Sequence, residues 1–237
     1  MMSIKVGCCG FPEGKEKYFQ KFKLVEIQQT FYKPPFLETV KRWRGEAPED
    51  FGFSLKAWQL ITHLPSSPTY RKGGLQIPAG KESNYGFFKP SEEVFEAWTK
   101  TRDIAQVLKA KVIVFQCPAS FVETAENIEN MTRFFTNVDR GDFIFVWEPR
   151  GKWSDDVITA LCQDLDLIHC VDPLERAALH GKTRYFRLHG GRNYRHQYTD
   201  GELTKLLQVA GDEAYILFNN ITMYTAALRF TELVRDR

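Results

Sequence analysis

No run of about 18 apolar residues occurs in this 237-residue chain, so nothing in it reads as a membrane span. Cysteine is scarce and irregular: Cys8, Cys9, Cys117, Cys162 and Cys170 form no C-x-x-C pair and follow no regular spacing. That argues against a zinc knuckle, and the odd count argues against a disulfide framework. Three of the five end apolar runs, where a reduced thiol packs as a small hydrophobe. Neither G-x-G-x-x-G nor G-x-S-x-G is present, so a dinucleotide-binding turn and a hydrolase nucleophile elbow are both missing. The formal charge is only +2, too small to signal a nucleic-acid partner. Met1-Met2-Ser3-Ile4-Lys5-Val6 enters strand-like sequence without the order of a signal peptide, which predicts a cytoplasmic protein.

What is present is enough apolar residue, 43%, to bury a sizeable core, with 26% charged residues to keep the surface soluble. Eight β-type runs recur: Ile4–Gly10, Leu24–Tyr32, Phe51–Trp58, Lys111–Pro118, Phe143–Arg150, Leu165–Asp172, Arg184–Gly191 and Ala214–Asn220. Val, Ile, Leu, Phe and Cys dominate them, as in parallel strands covered on both faces. The stretches between have helical spacing. Val94, Trp98, Thr101, Ala105 and Leu108 share one face, Ile128, Met131, Phe135 and Val138 another, and Ala226, Ala227, Phe230, Leu233 and Val234 a third. Thr199 with Glu202 makes a capping box, and Ser91 and Ser154 stand at N-cap positions. Strand and helix alternating eight times predict a parallel α/β sheet. The first turn, Gly7-Cys8-Cys9-Gly10, lacks a phosphate loop, which favours a closed (β/α)8 TIM-type barrel spanning residues 1–237 over an open sheet.

The stretch Leu64–Pro90 breaks the rhythm. Pro65, Pro68, Pro78 and Pro90, four glycines and Arg71, Lys72, Lys81 and Lys89 predict a long loop after the third strand. Leaving from the C-terminal face, it is a candidate lid.

Alternate strand residues point the same way, so parity sorts barrel-facing side chains from helix-facing ones. Ile144, Val146, Glu148 and Arg150 oppose Phe143, Phe145 and Trp147; Tyr185, Arg187 and His189 oppose Phe186 and Leu188. Glu26, Gln28, Thr30 and Tyr32 oppose Val25, Ile27 and Phe31, and Ser54, Lys56 and Trp58 oppose Phe53 and Leu55. Gln116, Asp172 and Asn219 or Asn220 end the fourth, sixth and eighth strands. Most strands thus deliver a polar side chain to the C-terminal rim, where barrel enzymes build their sites. A plug of salt bridges, Glu148 with Arg150 or Arg187, is the structural alternative.

These residues resemble a known family. Glu26, Thr30-Phe31-Tyr32, Pro35, Trp43, Pro48, Asp50-Phe51, Phe53, Lys56 and Ile61-Thr62-His63 carry the first half. Glu148-Pro149-Arg150, Trp153, Asp172, Tyr185-Phe186-Arg187-Leu188-His189-Gly190 and Phe218-Asn219-Asn220 carry the second. Together they are similar to the YecE-like family, a domain of unknown function. The resemblance implies a TIM-type barrel and supplies candidate residues without a reaction.

Three kinds of chemistry suit the rim. The first is an enzyme on a small anionic substrate, with no cofactor. Lys56, Arg150 and Arg187 would hold a phosphate or carboxylate, helped by the Gly190-Gly191-Arg192 turn. Glu148 or Glu26 would be the general base and His189 or His63 the proton donor, with Asp172 beside them. Gln116, Asn219 and Asn220 would orient substrate oxygens, and Tyr32, Trp58 or Trp153 would stack on a planar group. The second is divalent-metal hydrolysis or isomerisation through Glu148, Asp172 and His189. The third is a module without turnover that binds RNA or protein through the basic 64–90 stretch and the Arg192–His196 loop. Cys8 or Cys9 could be a reactive thiol, but a buried pair of small residues is the expectation.

Overall fold

The computed structural model describes residues 3–236. The strands are β1 (Ser3–Cys9), β2 (Leu24–Ile27), β3 (Gly52–Lys56), β4 (Val112–Gln116), β5 (Ile144–Glu148), β6 (Leu167–His169), β7 (Arg184–Leu188) and β8 (Glu213–Phe218). They form one parallel sheet of eight in the order β6-β5-β4-β3-β2-β1-β8-β7. The Val171–Phe186 bridge, with the Arg187 N–H donating to the Val171 carbonyl at 3.0 Å, joins the two edges. The result is a TIM-type barrel, nearly closed.

Strand parity decides the packing. Leu24, Val112, Val114, Val146, Ile168, Cys170, Tyr185, Tyr215 and Leu217 fill the barrel interior. The opposite faces, Phe53, Leu55, Phe115, Phe145, Trp147, Phe186 and Leu188 among them, pack against the helices in a second, larger cluster. Burying both faces explains why the strands are apolar throughout. The helix Glu92–Leu108 lays Val94, Trp98, Thr101, Ala105 and Leu108 on the sheet, and its N-cap Ser91 accepts from the Val94 amide. The helix Asp200–Ala210 starts with the Thr199–Glu202 capping box. All five cysteines are buried and unpaired.

Four expectations need correction. β2 stops at Ile27, and Gln29–Tyr32 is one helical turn, so Thr30 and Tyr32 leave the barrel-facing row. Thr30 instead ties that turn to β3 by donating to the Lys56 carbonyl at 2.7 Å. No helix joins β6 to β7: residues 170–183 run through the Val171 bridge and turns instead, although the connection is as long as the helical one between β1 and β2. Ser154 holds the N-cap position, but its hydroxyl donates to Glu123 at 2.8 Å rather than capping the helix.

The fourth concerns residues 64–90. They are not a structureless loop but carry a helix, Pro68–Gly73, and a 3-10 turn, Glu82–Asn84. Tyr70, Tyr85 and Phe88 are buried in the core, and the Gly86 and Phe88 amides bond the Leu60 and Ile61 carbonyls at 2.8 and 2.9 Å. Most of the basic groups are occupied. Lys72 lies over the Tyr32 ring, Lys81 pairs with Glu93 at 2.9 Å, and Lys89 bonds the Ser83 carbonyl. Aromatic anchors outweigh the turn-forming composition here.

Candidate active site

The charged residues at the C-terminal ends of the strands form a chain of ion pairs across the barrel. Arg187, 1% exposed, stands at its centre. One guanidinium nitrogen donates to Glu26 at 2.9 Å; the other donates to Glu148 and, at 3.0 Å, to Gln116. Glu26 also accepts from the Tyr185 hydroxyl at 2.7 Å and from the Gln28 amide. Tyr185 in turn meets Ser54 at 2.9 Å, which ties β7 to β3 inside the barrel.

Glu148 reaches upward from this layer. Its outer oxygen meets Arg150 at 3.1 Å and His189 Nε2 at 3.0 Å. Burial alone would raise the Glu148 carboxyl, but Arg187, Arg150 and His189 outweigh it and hold the group well below the usual carboxylate range. Glu148 is therefore an anion at neutral pH. On the other side of the ring, Asn219 stands 3.2 Å from His189 Nδ1. With the Asn219 amide nitrogen donating there, Nε2 carries the ring proton and donates to Glu148.

Above this dyad opens a cavity of about 390 Å³ lined by Glu148, Arg150, Asp172, His189, Arg192 and Tyr194, among others. Its roof is the loop after β7. Gly190 and Gly191 hold φ of +70° and +74°, and a Cβ on Gly190 would stand 2.7 Å from Asn220 Cβ, so glycine is required there. Asn220 is buried and donates to the His196 carbonyl at 2.9 Å, and the Ile221 amide bonds the Tyr194 carbonyl. The loop is thus tethered to the end of β8. Arg192 is exposed and makes no ion pair with a described residue.

Of the sequence-derived residues, Glu148, Arg150, Asp172 and His189 line this cavity, and Asn219 supports His189. Glu26, Gln116 and Arg187 lie in the layer beneath, where they hold one another and Glu148. Asn220 positions the roof. Lys56 is buried with its amine over the Phe31 ring. His63 is buried beside the same ring and bonded to Thr62 at 2.8 Å, away from the cavity wall. Tyr32 packs under Lys72 and Trp153 against Trp147, so neither stacks at the cavity, and Trp58 borders a separate apolar groove. No residue of 64–90 lines the cavity, which leaves the lid without support.

Asp172 turns to the His189 and Leu174 amides, at 2.8 and 3.1 Å, rather than toward Glu148. Burial raises its carboxyl, with those two amides working against the rise. Among the described residues no group of three His, Cys, Asp or Glu side chains converges as a metal-ligand set. Sequence reasoning undervalued Tyr194, the cavity's aromatic, and missed Glu175 and Arg176. The last two follow β6 with no periodic pattern to place them.

The model of the family described as "Protein of unknown function DUF72" matches residues 13–236. The chain belongs to the DUF72 family. Its barrel is similar to that of a DUF72 family protein from Enterococcus faecalis, with 18% identity and a TM-score of 0.75 over 99% of this chain and 98% of that one. A DUF72 family protein from Thermotoga maritima, also 18% identical, gives 0.69 over 98% and 99%. More distantly, an AP endonuclease of family 2 from Brucella melitensis shares the fold at 10% identity, with a TM-score of 0.58 over all of both chains. No curated protein matches the chain.

This DUF72 chain, whose described helices include none long and apolar enough to cross a membrane, carries two buried imidazoles that contribute to its response to acid. Burial pulls His63 down to about 3 and His169 down to about 4. In the unfolded chain each takes up a proton near pH ~6.5. Between pH ~6.5 and ~4 the unfolded chain therefore binds more protons, and stability falls as pH falls. The slope approaches about 1.4 kcal/mol per pH unit for each imidazole. Melting temperature should drop across this window, before most carboxylates titrate; a flat profile from pH ~6.5 to ~4.5 would contradict the burial of both rings.

Proposed function

We propose that this DUF72 protein is an enzyme acting on a small substrate that bears a phosphate or carboxylate, by general acid and base chemistry at the rim cavity. The observation that carries the reading is the meeting of two unlike features on one wall. Arg192, with no ion pair to a described residue, and Arg150, a third exposed and bonded to Glu148 and Tyr194, offer forked donors beside the Gly190-Gly191 turn. Next to them lies the Glu148–His189–Asn219 row, in which a buried carboxylate orients an imidazole.

In this scheme the guanidinium groups take the substrate's anionic group. Glu148 fixes the ring through Nε2 and balances its positive charge once protonated, and His189 exchanges a proton with the reacting atom through Nδ1, where the substrate takes the place of the Asn219 amide. Tyr194, whose ring stands edge-on to His189 at 6.0 Å, covers the imidazole from the loop side. Shared architecture with an AP endonuclease and with a D-psicose 3-epimerase is compatible with a small-substrate enzyme, but by fold alone.

Inorganic phosphate or sulfate should raise the melting temperature, by linkage about 2.7 kcal/mol of stabilisation at a hundredfold excess over Kd. The double variant Arg150→Ala, Arg192→Ala should lose that response while remaining folded. A panel of phosphorylated and carboxylated metabolites then identifies a substrate whose turnover His189→Ala removes. If no anion shifts the melting curve, the anionic-substrate reading fails. A divalent metal retained through purification and lost in His189→Ala would favour the metal-dependent alternative instead.

A further inference from the structure

Among the described residues, Lys56 is a charged side chain of the inner rim left without an acid. It closes β3 on the barrel-facing side, two residues beyond Ser54, and is only 4% exposed. Its ammonium nitrogen stands 3.8 Å from the centre of the Phe31 ring and makes no hydrogen bond or ion pair with a described residue. The neighbouring charges are all matched: Arg187 with Glu26 and Glu148, and Glu148 again with Arg150 and His189. A buried lysine that serves the fold is ordinarily held by a carboxylate, because burying an unpaired ammonium is costly.

The groups facing Lys56 explain its state. Glu26 comes from β2, Glu148 and Arg150 from the end of β5, Arg187 from β7, and His63 from the turn after β3. Glu26 and Glu148 favour the charged amine, while Arg187 and Arg150 work with burial against it. Burial first, and Arg187 next, pull the amine down to about 7. An amine desolvated beside a cation is the form that attacks carbonyl groups.

We propose that Lys56 is a nucleophilic amine that condenses with the carbonyl carbon of an aldehyde or ketone bearing a phosphate or carboxylate. This rests on the anionic-substrate reading above and specifies the substrate class. The neutral amine adds to the carbonyl carbon, forming an N–C bond while the C=O π pair moves to oxygen. A proton passes from nitrogen to that oxygen to give a carbinolamine. Protonation of the hydroxyl and its loss as water leave a protonated imine, so one proton is taken up and one water released.

The test is reductive trapping on the native protein with pyruvate, glyoxylate or dihydroxyacetone phosphate and cyanoborohydride, followed by peptide mass mapping. At pH 7 about half of Lys56 is neutral, against less than a thousandth of an ordinary surface lysine with a pKa near 10.4. Labelling at Lys56 should outpace surface lysines at least tenfold, be half-maximal near pH 7, and vanish in Lys56→Arg. Absence of a Lys56 adduct with all three compounds overturns the proposal, whether or not Lys56→Arg folds. Labelling by formaldehyde alone also overturns it, since the amine would then be open but not matched to an anionic carbonyl. A phosphate thermal shift that persists without any Lys56 adduct sinks this proposal alone. An adduct without the thermal shift sinks the arginine-pocket reading instead.

Discussion

Replacing Arg187 with Met is expected to cost about 3–5 kcal/mol of stability, since removing one partner from a buried ion network strands the others. Arg187 is 1% exposed and is the shared partner of Glu26 and Glu148, themselves 0% and 4% exposed. Met fills much of the volume, so the loss measured is electrostatic rather than a cavity. Without the guanidinium both carboxylates face burial with Arg150, His189 and Tyr185 as their main remaining support. One Arg187 nitrogen, Nε, already lacks a hydrogen-bond partner, so the network is costly even when intact. Urea denaturation of Arg187→Met, and of the triple variant that adds Glu26→Gln and Glu148→Gln, separates the causes. The triple should recover much of the loss, because two stranded charges are removed. If the single variant loses less than about 1 kcal/mol, Arg187 is not the buried counter-charge that holds Glu26 and Glu148.

Gly151→Ala is expected to be the other severe change, and it reaches the site through packing. A Cβ at this position would run into the Phe121 carbonyl oxygen and stand 3.1 Å from the Ala119 carbonyl oxygen. The Trp153 indole N–H donates to that same Phe121 carbonyl at 2.7 Å, so the loop after β5 is docked directly on the loop after β4. Overpacking typically costs about 1–3 kcal/mol, and a backbone partner that cannot rotate away puts this case at the upper end. Separating the two loops also moves Arg150, which immediately precedes Gly151. The melting temperature and its phosphate response should therefore fall together. An unchanged melting temperature would contradict the close approach of the loops.

Much of this molecule was legible in its residues. The parity of Ser54, Lys56, Val146, Glu148, Tyr185 and Arg187 placed them inside the barrel, and they are inside, because a strand's side-chain period leaves no third choice. The resemblance carried by Glu148-Pro149-Arg150 and Tyr185–Gly190 agrees with the family match over residues 13–236. Parity failed where the strand itself stopped. Extending β2 places Tyr32 at the rim, but that segment is a helical turn, and short apolar runs do not distinguish the two. His63 reads in sequence as a rim group, but its ring packs edge-on against Phe31. Residues 64–90 look like a loop in composition, yet Tyr70, Tyr85 and Phe88 are buried and hold the segment down.

By itself the sequence determined the strand order, the inward row on each strand and the end of the barrel where charge collects, since these follow from local periodicity and chain direction. Only the tertiary structure decided how those charges divide into a buried layer and an open one. Glu26, Arg187 and Gln116 satisfy one another below, while Glu148, His189, Arg150 and Arg192 face the cavity, and Lys56 is left without an acid. That division depends on side-chain reach across the barrel from β2, β4, β5 and β7. Residues as distant in sequence as Glu26 and Arg187 become neighbours at 2.9 Å, a pairing no local pattern encodes.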